Sequence, residues 1–93
     1  MRVTIPVEHG NKAFKDGSLG RIMQSAMQEL KPEAAYFVPI DGVRTALIFF
    51  DMKDSSDIVR IAEPFFSGLN ASVVFRPAMN ADDLRAGMEK MKL

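Results

Sequence analysis

Few side chains in this sequence could take part in acid–base or electrophilic chemistry. His9 is the single histidine, and it stands beside Glu8 and Asn11 in the loop expected after a first strand. There it could act as a general base if a substrate came within hydrogen-bond reach and a neighbour oriented the ring. Its other reading is an exposed loop histidine. Arg44 and Arg76 each interrupt a run that is otherwise apolar. If both turn into one interior, they could grip a carboxylate or phosphate bidentately. Otherwise each sits at a strand end and reaches water, or pairs with Asp51 or Glu8. Tyr36 could offer its hydroxyl inside a pocket, or pack its ring and bond at an edge. His9 and Tyr36 are thus the catalytic candidates, and Arg44 and Arg76 the ligand-binding ones.

Other chemistries have no residues to carry them. The chain has no cysteine, which removes thiol nucleophiles, iron–sulfur ligation and disulfide staples. One histidine among scattered carboxylates has no metal-ligand spacing, so no metal is expected. Gly10, Gly17 and Gly20 are not spaced as a phosphate-binding loop, and no cofactor is expected. Twelve basic and twelve acidic residues cancel and are dispersed. The basic patch of a duplex nucleic-acid binder is missing, as is a polybasic membrane anchor. Single-stranded RNA would need aromatics on an open sheet, and a neutral, aliphatic sheet argues against it. The longest apolar runs, Ala34–Val38 and Ala46–Phe50, are five residues each, whereas a spanning helix needs about 20. Met1 leads directly into strand-like sequence rather than a secretory signal, so the cytoplasm is the expected location.

The elements that would position these residues follow from periodicity. Val3, Ile5 and Val7 alternate with Arg2, Thr4, Pro6 and Glu8, a strand pattern over residues 2–8. Pro6 cannot donate to a ladder, which predicts an edge position or a bulge there. Leu19, Ile22, Met23, Ala26, Met27 and Leu30 form one helical stripe, capped by either Asn11 or Ser18 and stopped by Pro32. Residues 34–40 and 43–52 are β-rich and flank Asp41-Gly42, the signature of a two-residue type I′ turn. Asp54 is placed to cap a helix with the stripe Ile58, Ile61, Ala62, Phe65 and Leu69, kinked or restarted at Pro64. Residues 72–79 read as a fourth strand. Asn80 caps a last helix whose buried face is Leu84, Met88 and Met91.

The order β-α-β-β-α-β-α predicts an α+β chain with a ferredoxin-like fold, a single domain over residues 1–93. Its four-stranded antiparallel sheet carries helices on one face. The other face should be polar if it meets water. Yet Tyr36, Val38 and Ile40 oppose Phe37, and Leu47 and Phe49 oppose Ala46, Ile48 and Phe50, so both faces are apolar. A second face of that kind marks an interface. The expected partner is a second copy packed sheet to sheet, a dimeric α+β barrel; the rival is a last helix folded over the open face. Phe66, adjacent to core-facing Phe65, cannot face the same core and is a candidate for contact with that partner.

Lys31-Pro32-Glu33-Ala34-Ala35-Tyr36-Phe37, Phe50-Asp51-Met52-Lys53-Asp54, Glu63-Pro64-Phe65-Phe66 and Arg76-Pro77-Ala78-Met79-Asn80 resemble a family of small uncharacterised bacterial proteins. That family looks like part of the dimeric α+β-barrel, ferredoxin-like superfamily. The wider superfamily includes cofactor-free monooxygenases, isomerases, haem-handling enzymes and ligand-sensing domains, linked to this chain by fold analogy alone. None of its catalytic motifs matches residue by residue, and the tryptophan of some haem-degrading members has no counterpart. Three functions follow: a homodimer binding a small organic or anionic ligand, a small cofactor-free enzyme, or a structural and protein-interaction module. A pocket of roughly 300 Å³ or more, containing Arg44 or Arg76, would favour binding or catalysis.

Overall fold

A computed structural model describes residues 1–92. The chain is α+β: a four-stranded antiparallel sheet and four helices, in the order β1 (Arg2–Ile5), α1 (Val7–Asp16), α2 (Ser18–Leu30), β2 (Ala34–Ile40), β3 (Val43–Phe49), α3 (Asp57–Leu69), β4 (Ser72–Val74) and α4 (Ala81–Lys90). Across the sheet the strands lie β2-β3-β1-β4. No helix of the described residues is long and apolar enough to cross a membrane.

The β2–β3 hairpin turns where expected. Asp41 and Gly42 both have positive φ, 52° and 76°, as a type I′ turn requires. Ile40 faces Val43 and the register runs back to Ala34 opposite Phe49. In a two-residue hairpin the residues flanking the turn exchange both ladder bonds, and alternate pairs do so onward. Pro39, opposite Arg44, falls at a non-bonded position. Its nitrogen faces the free side of this edge strand, where a proline costs the ladder nothing.

Three elements differ from the sequence expectation. The first strand ends at Ile5, and Pro6 (φ −55°) starts a helix instead of sitting within a strand. β1 is a central strand between β3 and β4, so the expected edge position or bulge at Pro6 is corrected. The expected single first helix is two: Gly17, at φ 84°, ends α1 and precedes Ser18 of α2. The fourth strand stops at Val74, the β4 residue that pairs with Arg2, short of the expected Met79.

The core lies between the sheet and α1–α3. Val3, Ile5, Ala46 and Ile48 supply the sheet side, with Ala13, Phe65 and Leu69 from the helices. The α3 stripe is buried at Ile61, Ala62, Phe65 and Leu69, and the helix runs through Pro64 without restarting. The α2 stripe packs against this core from Leu19 to Leu30, although none of its residues is fully buried. Asn80 caps α4 as expected. The stripe Leu84–Met88–Met91, however, is not buried: these residues are 50, 62 and 77% exposed. No residue of α4 is buried, and no other element packs extensively against it.

Candidate functional site: the open sheet face and the crevice at its end

The strand register decides which side chains share the uncovered face. Tyr36 stands opposite Leu47, Val38 opposite Thr45, Ile40 opposite Val43, and Ala34 opposite Phe49. On the other side of β3, Arg2 stands opposite Leu47 and Thr4 opposite Thr45. Their β4 neighbours are Val74 and Ser72. The face therefore has an apolar half on β2 and β3 and a mixed half on β1 and β4. No helix covers it: Tyr36 is 62% exposed, and Val38, Ile40 and Phe49 are each about 40% exposed. Phe37 points to the helix side but is exposed too, since β2 extends beyond the helices.

At the Met1 end of the sheet, the face runs into a crevice of about 740 Å³. Leu47, Phe49 and Val74 form its apolar floor, and the 75–80 segment bounds it with Arg76 and Met79. Arg2 enters from β1, and Glu33, Asp51 and Asp83 complete a mixed rim. Among the described residues neither arginine has an ion-pair partner. Beside them the Met1 amino group donates to the Ile48 carbonyl at 2.9 Å, and burial lowers its pKa from the usual value. An apolar floor under two unpaired guanidiniums suits a small hydrophobic molecule with one anionic group. A smaller groove of about 190 Å³ lies between α2 and α3; Glu29 in its lining is ion-paired with Arg60 of α3.

The four residues singled out by sequence are not brought together. Arg44 pairs with Ile5 near the turn end of the sheet, on the helix-covered face. Its Nη2 donates to Asn11 Oδ1 at 3.1 Å, tying β3 to α1. Arg76 is at the other end, past the last residue of β4, in the crevice. His9 lies within α1 and not in a loop, half-buried on the helix layer. Tyr36 stands on the open face, outside the crevice lining. Arg2 is the residue that the sequence reading left out, although period-two counting already placed it with Thr4 on the side opposite Val3 and Ile5. Among the described residues no three His, Cys, Asp or Glu side chains are grouped to hold a metal ion.

Comparison with protein-family models, with curated proteins and with solved structures finds no match.

Proposed function

We propose that this chain is a ferredoxin-like domain that works as a homodimer, two copies packing by their open sheet faces into a dimeric α+β barrel. The observation that carries this reading is the exposed apolar patch of Tyr36, Val38 and Ile40 on the uncovered sheet face, away from the crevice lining. The strand order β2-β3-β1-β4, with every neighbour antiparallel, supports the ferredoxin-like topology. The resemblance of the Lys31–Phe37 and Arg76–Asn80 blocks to small bacterial proteins of that superfamily points the same way. Covering the patch, at about 25 cal/mol per Å², is worth several kcal/mol per copy. Burial on that scale has to offset the entropy of association and the ordering of side chains.

The test is mass in solution. Light scattering at micromolar concentration should give twice the chain mass for the wild type. Val38→Glu, with unchanged far-UV circular dichroism, should give the single mass. A wild-type chain that stays single under those conditions overturns the proposal.

The crevice favours a second role on the same scaffold, the binding of a small apolar carboxylate or phosphate against Arg76 and Arg2. Its volume exceeds the roughly 300 Å³ at the lower end of ligand sites, and Arg76 lies within it. A bound ligand raises the melting temperature by mass action. Medium-chain and aromatic carboxylates should therefore stabilise the wild type and not Arg76→Ala. Equal shifts in both proteins would remove this role. The enzyme reading has less support, because His9 and Tyr36 lie outside the crevice.

A further inference from the structure

We propose that the crevice at the Met1 end of the sheet takes an elongated zwitterion, a molecule with a carboxylate at one end, an ammonium at the other and an apolar body between. This rests on the ligand-binding role given to the crevice above and adds a second charge to its ligand.

The sheet sorts the charges. Leu47 of β3 and Val74 of β4 stand on either side of Arg2. Both strands run antiparallel to β1, so their chains leave the sheet at the same end. Asp51 follows Leu47 by four residues, and Arg76 follows Val74 by two. Glu33 precedes β2, and its N–H donates to the Phe49 carbonyl at 2.9 Å. In the order β2-β3-β1-β4, the two arginines therefore belong to one half of the crevice, and Glu33 and Asp51 to the other. Leu47 and Phe49 form the floor between them. Four residues along and one strand across put the Cα atoms of Arg2 and Asp51 at most about 14 Å apart.

Among the described residues none of these four side chains has an ion-pair partner. Asp83, the third carboxylate of the rim, is already engaged, since its Oδ2 accepts from the Asn80 N–H at 3.1 Å. Two cations and two anions thus face one concavity without reaching one another. That arrangement selects against a plain carboxylate. Such a ligand satisfies the arginines, but its tail takes water from Glu33 and Asp51 and gives them nothing in return. An ammonium at the far end supplies the missing counter-charge, and the two poles together fix the direction in which the ligand lies. An α-amino acid carries both charges at one end and cannot meet both poles across Phe49.

Isothermal titration of the full chain with octanoate, 8-aminooctanoate and leucine tests the assignment. The wild type should bind 8-aminooctanoate roughly fivefold more tightly than octanoate, the worth of one added ion pair. Glu33→Gln combined with Asp51→Asn should erase that advantage, while octanoate binds the variant at least as well as it binds the wild type. Neither carboxylate has an ion pair to lose, so far-UV circular dichroism should not change. Equal affinities for the two octanoates in the wild type, an advantage that survives the double substitution, or a preference for leucine would each overturn the zwitterion and leave the carboxylate site standing. A wild type that binds neither octanoate, or binds both as well after Arg76→Ala, would remove the crevice role itself and the zwitterion with it.

Discussion

Arg44 lies directly over Gly10. A Cβ built at Gly10 would come within 2.8 Å of Arg44 Nη1 and 3.2 Å of Ile5 Cγ2, and the second guanidinium nitrogen bonds Asn11 on the next residue of α1. The absence of a side chain at position 10 lets α1 approach β3 closely enough for the arginine to span them. Arg44 is thereby a structural clamp, whereas Arg76 lines the crevice with no ion-pair partner among the described residues. Arg44→Ala should lower stability by about 1 kcal/mol and leave carboxylate-induced thermal shifts intact. Arg76→Ala should do the reverse. Urea titration with and without ligand separates the two.

A second close approach joins α2 to α3. A Cβ on Gly68 would lie 2.6 Å from Ile22 Cδ1. Gly68→Ala gains helix propensity but overpacks this contact, a cost of about 1–3 kcal/mol. Ile22→Val removes the offending methyl. The double variant should be more stable than the two single effects sum to, by about 1 kcal/mol. Simple additivity in a double-mutant cycle would show that the helices are not in this contact.

Acid should act through two turns that precede helices. Asp54 Oδ1 accepts from both Ser56 N and Ser56 Oγ at 2.9 Å, and Asp16 Oδ1 accepts from Ser18 N at 2.8 Å. These hydrogen bonds hold both carboxyls below the ordinary value of 3.8. A carboxyl lowered in the folded state contributes its full stabilisation above 3.8 and loses it as pH falls through the lowered value. The stability gap between wild type and Asp54→Ala should therefore be constant near neutral pH and shrink below about pH 4. Urea midpoints across that range check it, and a gap that widens in acid would contradict the assignment.

Removing the Asn80–Asp83 capping box at the start of α4 tests that helix alone. Asn80→Ala costs a helix about 1 kcal/mol. Because α4 packs on little, the loss should appear as reduced helical signal in far-UV circular dichroism, with the melting temperature of the rest of the chain unchanged. An unchanged helical signal would show that Asn80 and Asp83 do not hold the helix start.

Local chemistry was legible in the sequence, and pairing limits were not. Asp41-Gly42 announced its turn because the two residues alone determine it. Asn80 announced its cap for the same reason. The open face was also readable, since alternation in Tyr36–Ile40 and Leu47–Phe49 needs only the number two. Val7, by contrast, continues the alternation of Val3 and Ile5, so nothing in the apolar pattern marks the switch to helix at Pro6. The stretch from Phe75 to Met79 looks as strand-like as Val73, but pairing with β1 stops at Val74 opposite Arg2, a tertiary limit the local run does not contain. The helix 81–90 shows an apolar stripe, which tells that a face needs cover and not which molecule supplies it. His9 was misplaced into a loop by the same extension of the first strand. The separation of Arg44 from Arg76 is a tertiary fact that neither local run contains.

The missing N–H at Pro39 bears on how large an assembly can become. A strand arriving from another molecule to lengthen the sheet sideways would find a gap in the row of donors it must read. Lateral growth, which has no natural stopping point, is therefore penalised at this margin. Contact through the broad side ends once two surfaces have met. One imino acid on the outermost strand thus favours a closed pair over an open-ended fibre.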